Sequence, residues 1–71
     1  MKIDIRYCSQ WNYKPEADGL SAELESFGAE IILHPEGNGI FDVSLDGKLI
    51  YSKYETGRFP NSGEVAKLIE K

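Results

Sequence analysis

The hydrophobic period of this chain changes abruptly between Tyr7 and Tyr13, and that switch constrains the fold more than any other feature. Before it, Ile3, Ile5 and Tyr7 alternate with Lys2, Asp4 and Arg6, the period-two pattern of a strand with one polar face. After it, Tyr13, Ala17, Leu20, Leu24 and Phe27 recur at spacings of four, three, four and three, one stripe of an amphipathic helix. Pro15 suits the first turn, where a missing N–H costs nothing, and Glu16 and Asp18 complement the helix dipole there. Gly28 supplies the C-terminal cap. Gly19 inside the helix costs about 1 kcal/mol against alanine, and close packing against a sheet is its expected role. A strand followed by such a helix implies a right-handed crossover to a parallel second strand.

That second strand is the apolar run Ala29 to His34, short enough to be a buried strand. Pro35-Glu36-Gly37-Asn38-Gly39 is turn chemistry throughout. Phe41, Val43 and Leu45 alternate with Asp42 and Ser44 in a half-buried strand, and Asp46-Gly47 signals a type I′ hairpin. Lys48 to Tyr54 is the returning strand, with Leu49 and Tyr51 on one face and Ile50 and Ser52 on the other. After a loop over Glu55 to Pro60, Asn61 and Glu64 have capping-box spacing, and Val65, Leu68 and Ile69 form the apolar stripe of a last helix. The order β-α-β-β-β-α predicts an α+β fold: a four-stranded mixed sheet covered by two helices, in one domain over residues 1–71. A domain near this size buries only about 60% of the surface its unfolded chain exposes, so modest stability is expected.

The formal net charge of −4 argues against nucleic acid, which needs a basic patch. The eight Lys and Arg residues are scattered, and Lys67 and Lys71 read as the solvated face of the last helix. No apolar run approaches the ~18 residues of a membrane span, and Asp4 and Arg6 interrupt any signal-peptide core. A soluble, cytoplasmic protein is expected. A single cysteine excludes an internal disulfide. A monomer is expected, with a dimer as the alternative; a disulfide between two copies of Cys8 would be a product of air oxidation.

That cysteine, Cys8, stands where the strand turns into the helix. A thiol there lies near unpaired backbone N–H groups and the positive end of the helix dipole. Such placement can lower a cysteine pKa from ~8.5 to between about 3.5 and 7.5. Cys8 is then either a reactive thiol or a small, half-buried apolar residue at a strand end. A dithiol oxidoreductase would carry its second cysteine three positions on, where this chain has Trp11. Trp11 is either an exposed anchor for a partner or a lid folded over Cys8. Tyr13 reads as core ahead of proton donor. His34, the only histidine, would serve as a base if the fold brought it to Cys8, and otherwise reads as a surface or packing residue. One Cys and one His do not supply the four ligands of a structural zinc, so no metal is expected, nor any resident cofactor.

The stretch Tyr7-Cys8-Ser9-Gln10-Trp11-Asn12-Tyr13-Lys14 resembles the first β-α loop of the selenoprotein W-like family, the Rdx group that includes selenoproteins T and H. Three further segments match in order. Gly37-Asn38-Gly39-Ile40-Phe41-Asp42-Val43 is similar to the family's glycine turn and following strand, Asp46 to Lys53 to its hairpin, and Gly57-Arg58-Phe59-Pro60 to the entry of its final helix. The resemblance implies a thioredoxin-like fold and a redox motif at Cys8, Ser9, Gln10 and Trp11, in which Trp11 occupies the place of the second cysteine or selenocysteine. Trp11 is read as a genuine replacement, the alternative being a stand-in for selenocysteine. Resolution within the chain is then impossible. The resemblance therefore implies a monothiol redox protein using Cys8, with glutathione as co-substrate or a partner protein's thiol resolving the adduct. The alternative is a non-catalytic interaction module that binds a partner through Trp11, Phe59 and the glycine turn. Tyr13, Gly37, Asn38, Gly39 and Phe59 are the expected binding residues, the glycines either admitting substrate backbone or forming a plain tight turn.

Overall fold

The computed structural model describes residues 1–70; Lys71 and the solvated-face reading made for it lie outside the described residues. Strand β1 (Lys2–Cys8) leads through a tight turn to helix α1 (Lys14–Leu24), which ends in a short 3-10 turn at Glu25–Phe27. Gly28 closes that turn with φ 71, the left-handed cap expected of a glycine. Strands β2 (Glu30–Glu36), β3 (Phe41–Leu45) and β4 (Lys48–Ser52) follow, then helices α2 (Lys53–Thr56) and α3 (Glu64–Glu70).

The sheet order is β2-β1-β3-β4. β1 lies parallel to β2, as the crossover demands, and antiparallel to β3. Its odd-numbered residues explain the packing. Ile3, Ile5 and Tyr7 pair with Leu45, Val43 and Phe41, and with Ala17, Leu20, Leu24, Tyr51 and Val65 they form one buried cluster. Both α1 and α3 therefore cover the same face of the sheet. The even residues turn to the other face, where Asp4 Oδ1 meets His34 Nε2 at 2.8 Å.

Several expectations are corrected. β2 runs on through Pro35 and Glu36, which were read as turn. As an edge strand it has no ladder partner on one side, so a proline without an N–H costs nothing there. For the same reason β2 is half-buried to exposed and does not form a buried strand. β4 ends at Ser52, two residues early, and a β-bulge shifts its register between Val43 and Ser44. Tyr51 then pairs with Val43 and Leu49 with Ser44, so Leu49 and Tyr51 lie on opposite faces; Leu49 is exposed.

The segment read as the end of β4 and a loop contains α2, held by side chains. Thr56 Oγ1 donates to the Ser52 carbonyl at 3.1 Å, and Tyr51 Oη donates to the Arg58 carbonyl at 2.7 Å. Glu64 does bond the Asn61 N–H at 2.9 Å, but α3 starts at Glu64 itself. The carboxylate of Glu23 on α1 accepts from the Gly63 N–H at 3.1 Å, so the cap comes from another helix. Finally, Gly19 is exposed, and an added Cβ there would meet nothing within 4 Å; close packing is not its role. The hairpin is as expected, with φ of 50 at Asp46 and 87 at Gly47.

Candidate functional site

Cys8 is the last residue of β1 and is wholly buried, with 0% exposure. Its N–H donates to the Ile40 carbonyl at 2.8 Å, and its carbonyl accepts from the Tyr13 N–H at 3.0 Å. The cysteine is thus clamped between the start of β3 and the start of α1. Ser9 fastens the turn to β2, donating to the Glu36 carbonyl from its N–H at 2.9 Å and its hydroxyl at 3.2 Å. Asn12 takes φ 57, the left-handed conformation that brings the chain round into α1. This geometry aims the Trp11 N–H at Cys8 Sγ, 3.3 Å away. The expectation of a backbone N–H beside the thiol therefore holds. The donor comes from the residue three positions on, where a dithiol site would have its second sulfur.

The side chains of the same turn lie over the glycine loop. A Cβ on Gly37 would stand 3.3 Å from Gln10 Oε1. A Cβ on Gly39 would stand 2.5 Å from Trp11 Cζ3 and 2.9 Å from Cε3, so the indole rests directly on the buried Gly39 backbone. Two glycines make room for the side chains of the turn between β1 and α1. Trp11 is 61% exposed, as an anchor would be, and its indole is seated on Gly39, whereas the lid reading placed it over Cys8. Asn38 takes φ 61 at the tip, and its carbonyl accepts a hydrogen bond from Tyr54 Oη.

Beneath the turn runs a chain of aromatic rings. Trp11 meets Tyr13 edge-on at 6.1 Å between centroids, Tyr13 meets Phe59 at 4.7 Å, and Phe59 meets Phe41 at 5.2 Å. Tyr13 and Phe59 are half-buried and packed against the core. Lys53 Nζ lies 5.7 Å from the Tyr13 centroid and 5.4 Å from that of Phe59, a cation held over two ring faces. Tyr54 and Lys53 were missed at the sequence level because α2, which carries both, was not expected. His34 is engaged by Asp4, an arrangement that holds the Asp4 carboxyl below its ordinary value, chiefly through that hydrogen bond. Among the described residues no group of three His, Cys, Asp or Glu side chains could hold a metal ion. No helix among them is long and apolar enough to cross a membrane.

Residues 2–71 match the Rdx family. The chain is 30% identical over its whole length to Migration and invasion enhancer 1 of Bos taurus and 31% identical over 97% of its length to that of Mus musculus. It spans 64% and 62% of the lengths of those two proteins. Among solved structures, a selenoprotein W-related protein from Vibrio cholerae superposes with a TM-score of 0.88 at 28% identity, covering 97% of this chain and 91% of that one. A Bordetella parapertussis protein superposes at 0.91 with 26% identity, covering 97% and 92%. The α+β fold is thioredoxin-like, as these neighbours are.

Proposed function

This chain belongs to the Rdx family, a group generally associated with thiol redox chemistry, and on that premise we propose that it is a monothiol redox domain acting through Cys8. The observation that carries the reading is the Trp11 N–H lying 3.3 Å from Cys8 Sγ. A fixed donor at that distance can hold negative charge on the sulfur as it attacks or leaves, without reorganisation at the moment of reaction. In the first step the Cys8 thiolate attacks a disulfide, forming a mixed disulfide and releasing one thiolate. An external thiol, from glutathione or a partner protein, then attacks the mixed disulfide and returns Cys8 to the thiolate. The pair of steps exchanges one disulfide for another and uses no second cysteine of this chain. A reducing compartment such as the cytoplasm suits a cycle of this kind.

A second reading has its own observation. The position of the pair that faces solvent holds Trp11, 61% exposed, whereas the retained sulfur is at 0%. A domain that binds a partner through Trp11, and uses Cys8 only as packing, fits that division. One experiment separates the two: the native protein is incubated with oxidised glutathione over a range of pH and read by intact mass, with alkylation of Cys8 followed in parallel. A single glutathione adduct that a reductant removes is the expected result. No adduct on the native protein, under conditions where the denatured chain forms one, would sink the redox reading in favour of the binding module. That module further requires the Cys8→Ala variant to fold normally and keep its partner.

A further inference from the structure

Trp11 makes two contacts at once, and their coupling has a consequence for access to Cys8. Its backbone N–H points at Sγ from 3.3 Å, while its indole lies on Gly39 so closely that a methyl group there would overlap it at 2.5 Å. The residues between, Ser9 and Gln10, form a tight turn: Ser9 is tied to Glu36, and Asn12 N–H closes on the Ser9 carbonyl at 3.3 Å. The backbone N–H at the sulfur and the indole on Gly39 are thus two contacts of one residue at the end of the same short turn. We infer that the Trp11 indole docked on Gly39 is a latch that keeps Cys8 closed, and that a reagent or partner reaches the thiol by lifting it. Gly39 is the seat of that latch, a positioning residue acting through Trp11.

The components fit such a device. The latch is held at the six-membered ring of the indole, in a residue that is 61% exposed, so a partner could grip it from outside. The edge contact to Tyr13, at 6.1 Å, is longer than the 4.7 Å and 5.2 Å contacts that fix Phe59 below. The aromatic chain is thus tight at the core and loosest at the latch. Reaction of a buried thiol through a rare open state proceeds in proportion to the open population, and weakening the seat should raise that population.

This inference deepens the redox reading, and its test is chosen to stand apart from it. Iodoacetamide, a small neutral alkylating reagent, reads access to Sγ whether or not Cys8 exchanges with disulfides. Trp11→Ala removes the indole, and Gly39→Ala displaces it. Gly47→Ala is the control, since Gly47 has φ +87 with nothing within 4 Å of an added Cβ, and imposes the same kind of backbone strain away from the latch. Alkylation of Cys8 should run roughly three- to tenfold faster than wild type in both Trp11→Ala and Gly39→Ala, the range that loss of one aromatic packing contact implies. Gly47→Ala should leave the rate unchanged. The fluorescence of the single tryptophan should shift to the red in Gly39→Ala and not in Gly47→Ala. A rate in Trp11→Ala or Gly39→Ala no greater than wild type overturns the latch, as does equal acceleration by Gly47→Ala. If the opened variants alkylate faster yet form no glutathione adduct, the latch stands and the redox reading fails.

Discussion

At the scale of single residues, the turn after β1 sets the backbone of residue 11 against the Cys8 sulfur. The N–H of residue 11 faces Cys8 Sγ at 3.3 Å, so a side chain placed there starts close to the sulfur. Trp11→Cys should therefore acquire an internal disulfide with Cys8 in mild oxidant, detected by intact mass as loss of two hydrogens and reversed by reductant. Failure to oxidise internally would mean that the turn holds the two positions in a geometry a disulfide cannot span. Gly19 offers a prediction of a different kind. It is exposed in mid-helix, with free space around the missing Cβ. Gly19→Ala should stabilise the protein by about 0.5–1 kcal/mol, read as a higher denaturant midpoint with unchanged slope. A loss of stability would show that this glycine has a packing role after all.

At the scale of elements, the final helix depends on charge brought in from elsewhere. Glu64 takes a two-pronged contact from Arg58, at 2.7 and 2.9 Å, and a third bond from the Asn61 N–H. The Arg58 guanidinium, then the Asn61 N–H, hold its carboxyl below the ordinary 4.5, at about 2. A carboxyl whose pKa is depressed on folding contributes stability above its unfolded value and loses it as pH falls through the folded one. The contribution of Glu64 should accordingly fade between pH 4.5 and about 2. Glu64→Gln should flatten that part of the stability profile while leaving the shape above pH 5–6 (approximate) unchanged, as measured by denaturant unfolding at a series of pH values. An unaltered acid limb would show that Arg58 and Glu64 are equally well paired in the unfolded chain. Asp4, lowered by its bond to His34, acts in the same direction on the β1–β2 side of the sheet.

At the scale of the whole molecule, one layer of side chains between a sheet and two helices carries both stability and site. Phe41 is fully buried at the start of β3, one residue from Ile40, whose carbonyl receives the Cys8 N–H, and it stacks edge-on with Phe59. Phe41→Ala should cost about 3–5 kcal/mol. A domain of this length has a total stability of roughly 4–11 kcal/mol, so the variant should unfold well below the wild-type temperature, and Cys8 should alkylate at the rate of an unfolded thiol on warming. Calorimetry with parallel alkylation checks both. A large loss of stability with Cys8 still protected would separate the core from the site.

By itself the sequence determined the order of the four strands and of helices α1 and α3, the parallel crossover, the hairpin and the position of the thiol, because each rests on local information. Alternation in β1, the stripe Tyr13 to Phe27 and the Asp46-Gly47 turn act within a few residues. Only the tertiary structure decided where β2 ends, because Pro35 is acceptable in a strand once the other side of that strand has no neighbour. It also decided the bulge that turns Leu49 outward, the small helix built on Tyr51 and Thr56, and the cap that Glu23 supplies from 40 residues away. The seating of Trp11 on Gly39 belongs with these. Whether an aromatic side chain lies against a glycine 28 positions later depends on the space between two loops, and that space exists only when β1, β3 and α1 are packed together.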